Sequence, residues 1–263
     1  MNPTPSPGKE SGDLHAARAE IIRAAAAILR ELDPSLGNTG LEKLIDRTPE
    51  TRPDSAPLSG ERWQDRVIER ELAHGATLLD LGCGRGELLS RLILQSGIRG
   101  QGVELDSDSV VDCVRRGVPV LQMDIDRGLQ EFPDSSFDYV LLEDTLQTLH
   151  KPLQVLQDML RVGRHGIVSF PNFGYWRVRI SLALSGRMPR TEHLPHRWYD
   201  TPNIHLFTLR DFLDWSESAG VQLVSGFARS EKGVRPLQPE DNLMAEEVLL
   251  FLCGSGKSKT TVI

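Results

Sequence analysis

From residue 61 onward, short apolar runs alternate with amphipathic ones, and this rhythm is what most limits the fold. "ATLLDL", "IRGQGVEL", "VPVLQM", "SFDYVLLE" and "HGIVSFP" read as buried strands, since strands covered on both faces are apolar almost throughout. "GELLSRLILQSG", "DSDSVVDCVRRG" and "LQVLQDMLRVG" space their apolar residues as helices do and close on glycine. "ERWQDRVIERELA" predicts a further helix ahead of the first strand, and "FTLRDFLDWSESAG" one after the fifth, with Thr208 and Asp211 spaced as a capping pair. Such alternation requires a parallel sheet with crossover helices on both faces. "VQLVSGFARS" and "NLMAEEVLLFLC" come next with no helix between them and predict an antiparallel hairpin. The expected architecture is α/β: a mostly parallel seven-stranded sheet with an antiparallel C-terminal hairpin.

The flanks read differently. Residues 1–12 are rich in Pro, Ser and Gly and predict disorder, and "DLHAARAEIIRAAAAILRELD" predicts a helix. Residues 13–60 are expected to be a helical appendage with a linker, 61–254 the main domain and 255–263 a flexible tail. The net charge of −7 and the lack of a basic run argue against nucleic acid. Three widely separated cysteines give no disulfide framework and no CxxC zinc pair. With no signal-peptide pattern and no apolar run long enough for a bilayer, the expectation is a cytoplasmic protein without membrane contact.

The run "TLLDLGCGRGELL" packs Gly82, Gly84 and Gly86 into the turn after the first strand. Glycines there permit positive φ and leave the backbone bare to a ligand, while the amides opening the next helix favour a negative group. Glu104 ends the second strand, 20 residues after Gly84, and an acid so placed accepts hydrogen bonds from ribose hydroxyls. Asp124, just past the third strand, can meet an adenine amino group, with Ile125 against the ring. The competing reading makes Glu104 and Asp124 simple caps for the helices after them.

The spacing GxGxG with Asp80 before it resembles the first motif of class I S-adenosylmethionine-dependent methyltransferases, not the GxGxxG of dehydrogenases. The resemblance implies a Rossmann-like sandwich. It also implies that Asp80, Gly82, Gly84, Gly86, Glu104, Asp124 and Ile125 bind S-adenosyl-L-methionine or S-adenosyl-L-homocysteine, with Cys83 and Leu105 beside them. Glu143 falls where the fourth strand lines the pocket. Arg85 departs from the usual polar or acidic residue and is expected to point outward. The runs "MLRVG", "IVSFPNFGYWRVR", "GRMP" and "WYDTPNIHL" are similar to the methionine-biosynthesis MetW family over roughly residues 75–253. That resemblance implies a role in methionine biosynthesis beside a homoserine O-acyltransferase of the MetX type. The chain has no GxSxG elbow and so is not expected to be that acyltransferase.

No catalytic residue is legible, and methyl transfer needs alignment more than acid–base chemistry. Asn172, Tyr175, Trp176, Tyr199, Asn203 and His205 are candidates for a substrate cleft or partner surface, set against a reading in which the aromatics are core. Ser169 alternates with apolar residues in a strand and reads as structural. Glu192, His193, His196 and His205 do not form a metal set, because Pro195 breaks the helical spacing. An oxidoreductase is disfavoured by the glycine spacing. A small-molecule methyltransferase stays open beside the accessory role.

Overall fold

The computed structural model describes residues 62–191, 194–230 and 233–254. The expected disordered start, the helical appendage, the tail, and Glu192 and His193 lie outside the described residues. The chain divides into two compact units: Leu58–Tyr175 with Asp200–Ile263, and Met1–Pro57 with Trp176–Tyr199.

In chain order the elements are α1 (Trp63–Glu71), β1 (Thr77–Leu81), α2 (Glu87–Ser96), β2 (Arg99–Glu104), α3 (Ser107–Arg115) and β3 (Val120–Gln122). Then come β4 (Phe137–Glu143), α4 (Pro152–Val162), β5 (Gly163–Pro171), α5 (Trp176–Ser185) and α6 (Leu209–Ser218). The chain closes with β6 (Gln222–Ser230), β7 (Gly233–Pro236), α7 (Asp241–Met244) and β8 (Glu247–Cys253). Short 3₁₀ turns stand at Ile125–Arg127 and Leu146–Thr148.

All eight strands belong to the larger unit and form one sheet, ordered β3-β2-β1-β4-β5-β8-β6-β7. β1 to β5 pair in parallel; β8 runs antiparallel to β5 and β6, and β6 to β7. Among the described residues the sheet has eight strands, against the seven expected. Gly233–Pro236 reads in sequence as a Pro-containing loop, but as an edge strand it needs only one partner, which tolerates its proline. The two C-terminal runs do pair antiparallel. The hairpin itself, however, is β6–β7, and β8 inserts between β5 and β6. The expected strand start at Asn242 is instead the single turn α7, held by Asp241, whose carboxylate accepts from Gln238 N and pairs with Arg235 at 2.7 Å.

Alternation along the strands makes two cores. Leu79, Leu81, Val140, Leu142, Val168 and Phe170 face α4 and α6, packing on Leu156, Met159 and Phe212. Leu78, Tyr139, Leu141 and Ile167 face the other way, onto Ile68 of α1, Leu89 and Leu92 of α2 and Cys113 of α3. This explains the run of apolar residues in β1: neighbours serve opposite cores. Asp80, next to Leu79, shares the face of Leu78. It therefore looks toward the side from which α1 comes.

α6 begins as expected: Thr208 Oγ1 accepts from Asp211 N, and the Asp211 side chain accepts from Thr208 N, a complete capping box. Within the smaller unit, α5 carries buried Trp176, Val178 and Ile180. Further on, Arg197 lies over the Tyr199 ring, and Trp198 meets Tyr199 edge-on at 5.5 Å.

Candidate functional site

The chain runs outward from β1 through β2 to β3, then returns to the other side of β1 as β4. That reversal opens a crevice at the carboxyl ends of β1 and β4, where ligands of such sheets sit. Four chain segments end there: the glycine turn after β1, Glu104 of β2, the turn after β3, and Glu143 of β4.

The glycine turn is tied down by Gly82 N and Cys83 N, which both donate to Val103 O at 2.8 and 3.1 Å. Gly82, Gly84 and Gly86 all take positive φ, at 75°, 53° and 71°. A side chain at Gly82 would strike Thr145, and one at Gly86 would strike Cys113. Gly84 differs: open space lies where its Cβ would be. Bare backbone facing open space is what a close-approaching ligand needs.

Glu104 turns toward this loop. Its Oε2 accepts from Gly84 N at 2.8 Å, and its Oε1 from Leu105 N and Asp106 N at 2.7 and 2.9 Å. Oε1 is thus doubly engaged, while Oε2 keeps a second lone pair, so acceptor capacity toward one hydroxyl remains. Leu105 is 61% exposed, beside the crevice. Asp124 accepts from Asp126 N and so caps the 3₁₀ turn that Ile125 begins, with Ile125 buried. One oxygen of Asp124 makes the cap, and the other lies 3.5 Å from the exposed Arg127 guanidinium.

The electrostatics concentrate on the other side. Burial pushes the Asp80 carboxyl up to about 7, Arg62 pulls it down, and Asp65 and Glu104 add to the rise. Burial likewise drives Glu143 well above the ordinary carboxylate range, against the pull of Arg62. Glu143 Oε1, Asp65 Oδ1 and Gln147 Oε1 are buried without a hydrogen-bond partner. Unsatisfied buried acceptors call for donors, and an ammonium offers three. The residues thus fit an S-adenosylmethionine-type cofactor: donors for its cationic end are what this pocket lacks, and Glu104 and Gly84 frame room for the rest. Cys83 and Cys113 lie 3.8 Å apart, Sγ to Sγ, and both donate to Gly84 O. Burial raises both thiols, which keeps them protonated and unreactive.

Two residues of this cluster, Arg62 and Asp65, escape a reading by motif. Arg62 lies 2.6 Å from Glu143, 3.4 Å from Asp65 and 3.5 Å from Asp144. The signal was available in Asp65, which shares the buried helical stripe of Ile68 and Leu72, where a charge needs a reason. Asp144 has φ 49°, rare for a non-glycine, and its backbone N–H donates to Ser169 Oγ at 3.0 Å. Ser169 is thereby structural, as its place in the strand predicts. Arg85 is exposed and faces Asp112 at 3.7 Å, as expected.

The candidate substrate residues separate. Asn172 is buried and fully engaged: Nδ2 donates to Asp241 O, Asn242 O and Ala245 O, and Oδ1 accepts from Gly174 N and Leu209 N. Its task is to join β5, α6 and α7. Tyr175 and Trp176 are buried, so neither presents a surface to a partner. Their aromatic bulk, which in sequence suits a cleft equally well, serves packing. Asn203 is half-buried and His205 exposed, on a segment whose Ile204 N and His205 N both donate to Gln147 O at 2.9 and 3.0 Å. Tyr199 is exposed, in the smaller unit. An apolar hollow of about 240 Å³ opens between Leu146, Leu153 and Leu156 on one side and Leu206, Phe207 and Trp215 on the other. Among the described residues no cluster of three metal-type ligands exists.

The fold is that of the class I S-adenosylmethionine-dependent methyltransferases. A possible histamine N-methyltransferase from Thermotoga maritima, described as SAM-dependent, superposes with a TM-score of 0.53 at 17% identity, covering 72% of this chain and 86% of that one. The model of the family "Methionine biosynthesis protein MetW" matches residues 62–252, and the chain belongs to that family. A bifunctional methionine biosynthesis protein MetXA/MetW from Rhodopirellula baltica is 38% identical over 149 residues, 53% of this chain and 24% of the relative. A demethylmenaquinone methyltransferase from Bacillus licheniformis is 28% identical over 112 residues, 40% of this chain and 48% of the relative. The chain thus spans about a quarter and about half of these relatives' lengths.

Proposed function

We propose that this chain binds S-adenosyl-L-methionine or S-adenosyl-L-homocysteine in the crevice between β1 and β4, and works with a homoserine O-acyltransferase of the MetX type in methionine biosynthesis. One observation carries the partnership: the Rhodopirellula relative bears MetXA and MetW in one name and one polypeptide. Fusion keeps two activities at one place, which has value when one acts on the other. Glu104 accepts a ribose hydroxyl at Oε2, Gly84 leaves room beside it, and Asp80 and Glu143 supply the acceptors for the ammonium and sulfonium. Leu105 and Ile125 flank the adenine, with Asp124 at its edge. A bound S-adenosylmethionine presents an electrophilic methyl group and a signal of methionine supply at once.

The experiment is to purify the chain with the acyltransferase of its own organism and assay acylation of homoserine with and without it, at several S-adenosylmethionine concentrations. Co-purification and a changed rate are expected. No contact and no rate change overturn the partnership. A second reading, methyl transfer to a small molecule, is favoured by the stretch shared with the demethylmenaquinone methyltransferase. Its test is transfer of labelled methyl to a metabolite extract. Absence of transfer in a protein that binds the cofactor removes it.

A further inference from the structure

Arg62 contacts no part of the cofactor in the proposed binding mode, yet it stands among the acids that would hold the cationic end. It immediately precedes α1 and does not cap that helix. Its guanidinium instead bonds Glu143 Oε2 at 2.6 Å and approaches Asp65 and Asp144 only loosely, at 3.4 and 3.5 Å. The two sides of this contact are unlike. The Glu143 and Asp65 side chains are 5% and 6% exposed and fixed in the fold, whereas Arg62 is 50% exposed and can swing away without unpacking a core. The pairing is also incomplete, since Glu143 Oε1 and Asp65 Oδ1 still lack hydrogen-bond donors. A small ammonium can reach acceptors that a flat guanidinium, fixed at one end, leaves unmet.

We propose that Arg62 is an internal counter-ion that holds Glu143 and its neighbours until a cationic amino-acid end displaces it, so that ligand and arginine compete for the same carboxylates. This rests on the crevice being the cofactor site, and it adds regulation to that site. The competition weakens binding and makes entry an exchange of one cation for another. The acids around Arg62 come from α1 (Asp65), β1 (Asp80), β2 (Glu104) and β4 (Glu143), with Asp144 just beyond, and Arg91 holds Asp65 and Glu69.

The test is calorimetric titration of the full chain at pH 8.5, comparing wild type, Arg62→Gln and Arg62→Lys. S-adenosylmethionine and 5′-methylthioadenosine, which lacks the amino-acid end, are the two probes, and thermal unfolding checks that each variant is folded. Arg62→Gln is expected to bind S-adenosylmethionine at least five-fold more tightly and methylthioadenosine unchanged. Arg62→Lys, with fewer donors in reach, is expected about two-fold tighter, and it carries the test if the glutamine variant does not fold. Equal or weaker binding of S-adenosylmethionine in both variants overturns the proposal; weaker binding would mean that Arg62 holds the ligand. If wild type binds neither probe, the reading of the crevice as a cofactor site falls, and the proposal with it.

Discussion

Asp80 shows most clearly what one residue contributes. A carboxyl between two leucines of a central strand is costly to ionise, and burial raises it to about 7. The folded state therefore holds a proton that the unfolded chain has lost, and stability falls as pH rises from about 4 to about 7. Asp80→Asn removes that slope. Its melting temperature is expected to exceed that of wild type by several degrees at pH 8 and to match it near pH 4, as thermal unfolding at the two pH values would show. Glu104 acts differently, because it organises backbone: three N–H groups converge on it. Glu104→Ala is expected to weaken S-adenosylmethionine binding at least ten-fold in a titration, with only about 1–2 kcal/mol lost on unfolding.

At the scale of elements, the joints decide more than the elements themselves. Asn172 links the end of β5 to the start of α6 and to α7 through five hydrogen bonds, and Gly174 beside it has no room for a side chain, since a Cβ would meet Asn242 O. Asn172→Ala strands buried carbonyls and is expected to cost about 3 kcal/mol in denaturant unfolding. The five parallel strands, the helices between them and the glycine turn were legible in sequence because each arises from periodicity or from a local φ requirement. Thr208 and Asp211 are four residues apart inclusive, so their cap was legible too. Asn172 was not, because four of its five partners lie 37 to 73 residues away in sequence, and a lone polar residue after a strand reads equally as a ligand contact. Arg62 was missed for the same reason: it meets Glu143 across 81 residues. The β7 edge strand was missed because its four residues carry no alternation to detect.

For the whole molecule, the sheet order places the glycine turn and three strand-end acids at one reversal of topology, and a cationic nucleoside cofactor matches what they lack. No helix among the described residues is long and apolar enough to cross a membrane. The apolar hollow between α4 and α6 belongs to the same unit but to the opposite face of the sheet from α1, so the crevice and the hollow are separate features of one scaffold. The most direct test is titration of S-adenosylmethionine into the wild-type chain and Asp80→Asn at pH 6 and pH 8. The cationic end needs ionised acids, so wild type is expected to bind in the micromolar range at pH 8, more weakly at pH 6, and Asp80→Asn at least ten-fold more weakly at pH 8. No heat of binding to a folded wild-type chain at either pH, or equal affinity in Asp80→Asn, would contradict the account.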